Sequence, residues 1–188
     1  MDNAVKATME ALGAYLKLAM PKLTSVLYDF PNANVKLSYP ALSIISGEPT
    51  YTNHMPYLLS QDDVASGEHK AKARYIVGQY DFKLQLDFWC GNKEERFKVY
   101  QEFFQVFNPD MDVMGLSLQL TKNFGTWARY DLVGHNFSDG EEVSQRAEWR
   151  ARVSVLATCK AVLDKTRFII TEPIENNLDP THNEIVEP

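Results

Sequence analysis

The chain contains one very long alternating segment, from Arg146 to Leu163, near its C-terminal end. Apolar side chains occupy its odd positions from Trp149 onward, and polar or charged side chains fill most of its even positions. A period of two is typical of a β-strand that buries one face. At roughly 3.3 Å per residue, a strand of about 18 residues reaches about 60 Å, which is more than a compact domain requires. We therefore predict a strand that either bends or projects beyond its domain.

A second long strand is predicted from Arg74 to Trp89, where apolar residues fill most of the even positions. Helical spacing predicts one helix near the N-terminus, and another after Asn92, which forms a capping box with Glu95. Shorter strands are predicted within 35–46, 116–121 and 127–133. This order of elements predicts an α+β fold, with an antiparallel or mixed β-sheet and two α-helices packed on one face.

The chain is long enough for one well-buried core and too short for two ordinary domains, with 188 residues of which 45% are hydrophobic. We expect residues 1–163 to form a single α+β domain and residues 164–188 to form an extended arm. Residues 48–73 follow neither period and include Pro49 and Pro56. Because this segment is too apolar for a plain linker, we expect a long interaction loop that orders against a partner.

Acidic residues are concentrated in the expected C-terminal arm. Residues 164–188 contain six acids and two bases, a net charge of −4 within a chain total of −6. The remaining −2 leaves the domain nearly neutral, unlike the basic surface of a protein that grips nucleic acid. Apolar residues are interspersed with the acids, so the arm is expected either to be disordered or to order on a neighbouring subunit. The candidate docking residues are Phe168, Ile170, Ile174 and Leu178.

The chain lacks the residue patterns of common catalytic, metal and cofactor sites. Its histidines are far apart, its two cysteines fall in predicted strands, and no phosphate-binding glycine motif occurs. We therefore expect no catalytic, cofactor-binding or metal-binding residues. One alternative of another class is a small enzyme or ligand-binding domain that uses His54 with Asp62 and Asp63. No apolar run is long enough to cross a bilayer, so no membrane partner is expected.

A charged set lies on the even face of the long C-terminal strand, and it consists of Arg146, Glu148, Arg150 and Arg152. One hypothesis is an inter-subunit or lumen surface that meets an acidic partner. The other is a solvated face with cross-strand ion pairs. Candidate partners for such pairs, on the second long strand, are Asp81, Lys83 and Asp87.

Three segments of the chain resemble tail terminator and tail completion proteins of long-tailed bacteriophages. The segments are LQLDFWCGNKEERFKVYQEFFQVF, GLSLQLTKNFGTWARYDLVG and the closing strand QRAEWRARVSVLATCKAVL. In that family a sheet strand leads through a short turn into a helix, and the final strand has an arginine-rich start similar to RxEWR. The resemblance covers roughly residues 75–163 and is a pattern of elements.

The resemblance implies a non-enzymatic structural protein that forms a ring, with a hexamer as the expected size. Such a ring terminates the tail tube and joins it to the neck or head-completion proteins, and DNA passes through its lumen without specific binding. The implied location is the virion tail or neck, after assembly in the host cytoplasm. An alternative within the same class is a head-completion or adaptor protein bound to the portal.

Overall fold

A computed structural model describes residues 3–31, 37–61, 70–107, 115–121, 125–138, 142–143, 146–147 and 149–168. In chain order its elements are α1 (Asn3–Ala19), β1 (Ser25–Leu27), β2 (Ala41–Ser46), β3 (Thr50–Gln61), β4 (Lys70–Cys90), α2 (Lys93–Phe107), β5 (Leu116–Leu120), β6 (Thr126–Ser138), β7 (Glu142–Val143), β8 (Arg146–Ala147) and β9 (Trp149–Phe168). Neither of the two described helices is long and apolar enough to span a bilayer.

The described strands form a seven-stranded sheet in the order β1-β2-β4-β9-β6-β5, with β3 also paired to β4. Strand β1 runs parallel to β2, and the other pairs of this sheet are antiparallel. Strands β7 and β8 form a separate two-stranded ribbon. The predicted α+β class is confirmed, and the sheet is mixed rather than purely antiparallel.

The two long strands predicted from the alternating pattern are β4 and β9, and they pair with each other from end to end. Strand β9 begins at Trp149 and not at Arg146, where the sequence predicted its start. Arg146 belongs to the short strand β8. It continues past Leu163 to Phe168, so the first five residues assigned to the C-terminal arm, 164–168, are strand. Residues 169–188 of the predicted arm lie outside the described residues.

One hydrophobic cluster joins both helices to the middle of the sheet. Its members include Leu12 and Leu16 of α1, Phe103 of α2, Leu86 of β4 and Val153 of β9. At the start of α2 the N-cap bond of the predicted capping box is present: Asn92 Oδ1 accepts a hydrogen bond from the Glu95 amide at 2.8 Å. The Glu95 carboxylate accepts a second one at 2.6 Å from the amide of Gly91, which is one residue before the N-cap. These contacts fix where α2 leaves β4 and which side chains it buries.

Two tyrosine hydroxyls attach α1 to its neighbours. Tyr130 of β6 donates a hydrogen bond to the Thr8 carbonyl oxygen at 2.8 Å. Tyr15 of α1 donates one to the Val106 carbonyl oxygen of α2 at 2.5 Å. Both hydroxyls therefore satisfy a backbone acceptor while their rings pack against the apolar cluster.

The prediction of an irregular loop over residues 48–73 is wrong for most of its length. Residues Thr50–Gln61 form β3, and β4 already begins at Lys70. No alternation marks β3 because all twelve of its residues are exposed, so neither face selects apolar side chains for burial. Pro56 lies where the register of β3 against β4 shifts, between Asn53 and Tyr57, which is a position that tolerates proline.

Part of the sheet lies outside the apolar cluster. Strand β3, residues 70–79 of β4 and residues 160–168 of β9 pair side by side, and we call them the three-stranded arm. None of the described residues 70–79 or 160–168 belongs to the cluster that holds the helices. At roughly 3.3 Å per residue the 21 residues of β4 span about 70 Å. The excess length inferred from the sequence is therefore used to build this arm.

Candidate assembly interface

Strand β3 is an exposed, uncharged edge. All twelve residues are exposed, and the segment contains no Asp, Glu, Lys or Arg. Met55 is 90% exposed. Other large apolar side chains of this strand that stand in solvent are Tyr51, Tyr57, Leu58 and Leu59. Soluble proteins normally protect such an edge with charges, so a long uncharged one is a candidate surface for binding a partner.

The attachment of β3 to the rest of the arm depends on a glycine. The Tyr51 ring packs 5.0 Å from the Tyr80 ring, and its hydroxyl donates a hydrogen bond to the Val77 carbonyl oxygen at 3.2 Å. A Cβ on Gly78 would lie 2.5 Å from the Tyr51 ring and 2.6 Å from the Thr52 carbonyl oxygen. Glycine at this position therefore permits the close approach of β3 to β4.

The outer edge of β3 has no strand paired to it within the part of the chain that the structure describes. Its backbone donors and acceptors are therefore available for pairing with another chain, which is the geometry of β-strand addition. Pro56 and the two register shifts, at Asn53/Tyr57 and Leu58/Ser60, interrupt the ladder. They restrict how another strand can align and thereby favour one register over open-ended stacking.

The sheet face opposite the apolar cluster carries a ladder of polar side chains, and we call it the open face. Thr158 donates a hydrogen bond to the Asp81 carboxylate at 2.6 Å. Lys160 donates one to the Gln79 side-chain oxygen at 2.8 Å. Gln79 in turn donates to Asp81 at 3.0 Å, and Arg129 pairs with Asp131 at 2.9 Å. Charged residues of the open face are Asp81, Lys83, Asp87, Arg129, Asp131, Arg150, Arg152 and Lys160.

Asp87 lies at the centre of a buried cluster on this face. Its carboxylate is fully buried and accepts hydrogen bonds from Arg152 at 2.9 and 3.3 Å and from Gln85 at 2.8 Å. The Arg150 guanidinium lies 3.9 Å from the same carboxylate and 5.4 Å from the centre of the Trp89 ring. Trp89 donates a hydrogen bond to Ser43 at 3.0 Å.

These contacts bear on the charged set of the long C-terminal strand, for which the sequence left two hypotheses: an inter-subunit or lumen surface, and a solvated face with cross-strand ion pairs. Arg150 and Arg152 form cross-strand ion pairs, and the partner is Asp87, one of the three candidates. Arg152 keeps a third of its side chain exposed, whereas Arg150 keeps 10%. Arg150 is therefore mainly a buried packing residue, and Arg152 remains available to an external partner. Their role at an inter-subunit or lumen surface stays a prediction.

The remaining candidate residues are placed as follows. Arg146 lies in β8, where its backbone pairs with Val143. Phe168 is the last residue of β9 and pairs with Lys70 at the end of the three-stranded arm. Glu148, Ile170, Ile174 and Leu178 lie outside the described residues.

A second buried arginine connects α2 to the sheet. The Arg96 guanidinium lies 5.1–5.3 Å from the ring centres of Phe97, Phe137 and Trp149. Such cation–π contacts stabilise a cation that burial removes from water. Trp149 packs half-buried against the apolar cluster, next to this cation. The tryptophan at the start of β9 therefore helps to fix the end of the sheet from which β9 begins.

Two buried titratable groups nearby hold their protons. Burial, together with the Glu95 carboxylate, raises the pKa of the Cys90 thiol to about 12. Burial also raises the pKa of Tyr130, whose hydroxyl donates to the Thr8 carbonyl oxygen. Both side chains are neutral at physiological pH, and Cys90 is not an activated nucleophile.

The alternative of a small enzyme or ligand-binding domain depends on three residues, of which the structure describes one. His54 lies on the exposed strand β3, while Asp62 and Asp63 lie outside the described residues. Among the residues that the structure describes, no three His, Cys, Asp or Glu side chains are arranged to hold a metal. An open groove of about 450 Å³ lies beside the start of α2, with Lys22, Asn92, Glu94 and Lys98 among its lining residues.

Sequence reasoning missed β3 as a strand and as an edge. Two signals in its composition point to it: a run of twelve residues without charge, and a high content of Thr and Tyr, which favour strands.

Comparison of the chain with protein-family models and with curated protein sequences finds no match.

Proposed function

We propose that this chain is a non-enzymatic assembly protein of a bacteriophage tail, which forms a ring that terminates the tail tube and joins it to the neck. The single observation that carries the proposal is the exposed, uncharged strand β3 at the edge of the three-stranded arm. A chain with such an edge gains stability when a second copy covers it, since burial removes apolar side chains from water and satisfies the backbone.

The position of β3 favours a ring. The strand lies on one edge of the sheet, whereas β5 lies at another. Contacts between two different surfaces of the same protein are heterologous, and they close into a ring when the rotation between copies permits it. A closed ring covers every copy of the β3 edge and leaves no edge for further addition. The proposed size is a hexamer, as the family resemblance implies.

The arrangement of elements supports the phage assignment. The strand β4, the capped turn at Asn92 and helix α2 follow each other as in the family pattern, and the paired strands β5 and β6 precede the closing strand β9. We propose that both helices cover one face of the sheet, which leaves the open face and the three-stranded arm for neighbouring subunits. In this arrangement the tail tube protein and a neck or head-completion protein bind the two ends of the ring.

Electron microscopy tests the proposal at two levels. The purified full-length chain is expected to form rings with a central channel in negative stain. In phage particles that carry a gold-binding tag on this chain, the label is expected at the head-proximal end of the tail tube. A label at the portal instead would assign the chain to the adaptor class, and a label absent from the particle would refute a virion role.

A further inference from the structure

The open face carries more positive than negative charge. It holds five basic residues against three acidic ones, although the whole chain has a net charge of −6. Two of the acids form ion pairs with bases of the same face, Asp87 with Arg152 and Asp131 with Arg129. The two lysines of this face are not in those pairs, and Lys83 is exposed while Lys160 is partly exposed. The face therefore presents an excess of positive charge to a partner.

Apolar side chains accompany these charges. Trp127 is 59% exposed, and Leu156 in the middle of β9 is partly exposed next to Asp131. A surface that mixes basic and apolar groups fits a segment in which acids alternate with apolar residues, because each type of side chain then finds a complementary contact.

Such a segment occurs within this chain. Residues 169–188 contain five acids and no Lys or Arg, interspersed with Ile, Leu and Val. The segment follows Phe168, at the end of the three-stranded arm away from the two helices. Fully extended, its twenty residues span about 70 Å. The segment is therefore long enough to cross the sheet face of an adjacent subunit.

We infer that residues 169–188 of one copy bind the open face of the next copy in the ring. This inference rests on the proposed ring, and it identifies the open face as the surface that receives the acidic segment. A neighbouring copy is favoured over the same copy because β3 and the end of β9 lie together in the three-stranded arm, which extends toward the adjacent subunit in the proposed ring. On its own subunit the segment would have to reverse direction at the end of the arm.

Carbodiimide cross-linking of the full-length chain tests this inference. The reagent joins a carboxylate to an amine only when the two are in contact, and a mixture of ¹⁵N-labelled and unlabelled protein separates links between copies from links within one copy. We expect mixed-isotope links from Glu172, Glu175 or Asp179 to Lys83 or Lys160. Raising the salt concentration should decrease their yield, because the contact is largely electrostatic.

Matched variants identify the receiving face. Lys83→Glu should decrease the links to Lys160, since it reverses the charge beside the segment. Lys6→Glu reverses an exposed charge on α1 and should leave them unchanged.

Rings without such links, links confined to single copies, or links mainly to Lys6 or Lys22 would overturn the inference and leave the proposed ring standing. A chain that stays monomeric would refute the ring itself. Binding of duplex DNA that Lys83→Glu abolishes would assign the open face to DNA and overturn the inference.

Discussion

Replacement of Asp87 by asparagine tests whether the buried ion-pair cluster stabilises the sheet. Asparagine preserves the size of the side chain and removes its negative charge. The Arg150 guanidinium, of which 10% is exposed, then loses the carboxylate that lies 3.9 Å away. Arg152 loses both of its hydrogen bonds to an ionised acceptor. The variant therefore leaves two positive charges close together without the anion that lies between them.

The expected cost follows from the burial of the partners. Removing one member of a buried ion pair typically costs about 3–5 kcal/mol. Because Arg152 is 35% exposed and can regain water, we expect the lower end, about 3 kcal/mol. For a chain of this length each kcal/mol lowers the melting temperature by about 2–4 °C, so the expected decrease is about 6–12 °C.

Urea unfolding followed by circular dichroism, at one fixed protein concentration, measures this cost. Asp81→Asn is the matched control, because Asp81 lies on the same face and strand but bonds to Thr158 and Gln79 instead of arginine. We expect a loss of about 1 kcal/mol for the control. Equal losses for the two variants, or a loss below about 1 kcal/mol for Asp87→Asn, would show that the buried charges do not stabilise the sheet in this way.

Three further predictions concern other parts of the fold. Gly78→Ala should separate β3 from β4, so hydrogen exchange should accelerate in 50–61 and remain slow in 82–90; uniform protection would contradict the role given to Gly78. Trp149→Ala should cost about 2 kcal/mol in unfolding free energy, less than a fully buried aromatic, because the ring is half-buried; no measurable change would remove it from the packing around Arg96. Above about pH 9 the Cys90 thiol ionises in the unfolded chain, whereas in the folded chain it stays protonated up to about pH 12. Between these two pH values this group should therefore lower the free energy of unfolding by about 1.4 kcal/mol per pH unit. Cys90→Ala should reduce the slope of a pH series of urea titrations, and an unchanged slope would count against the burial of the thiol.

The long strands could be predicted because each buries one face over most of its length. In β9 the odd residues from Ala151 to Ala161 are buried and the even ones from Arg152 are partly exposed, which is the pattern that period-two reading detects. The continuation of β9 to Phe168 could not be found in this way. Residues 163–165 are exposed, so no alternation marks them, and their strand structure follows from pairing with β4.

The candidate surfaces were predicted less completely, for two physical reasons. Strand β3 has no buried face and so no hydrophobic period, although its lack of charge is visible in the sequence. The ion partner of Arg152 depends on the antiparallel register, in which Asp87 lies opposite Arg152. A shift by two residues would place Gln85 or Trp89 there, and hydrophobic alternation alone does not distinguish these registers.

In the proposed ring, β3 joins each copy of this chain to the next. Native mass spectrometry of the full-length chain measures whether it does so. Wild type should form one closed oligomer, and Met55→Glu combined with Leu58→Glu should be monomeric with an unchanged circular dichroism spectrum. Leu18→Glu, at an apolar residue of α1 that is 84% exposed, is the control and should retain the oligomer. A monomeric wild type, or an oligomer that survives the β3 substitutions, would show that β3 does not join the copies.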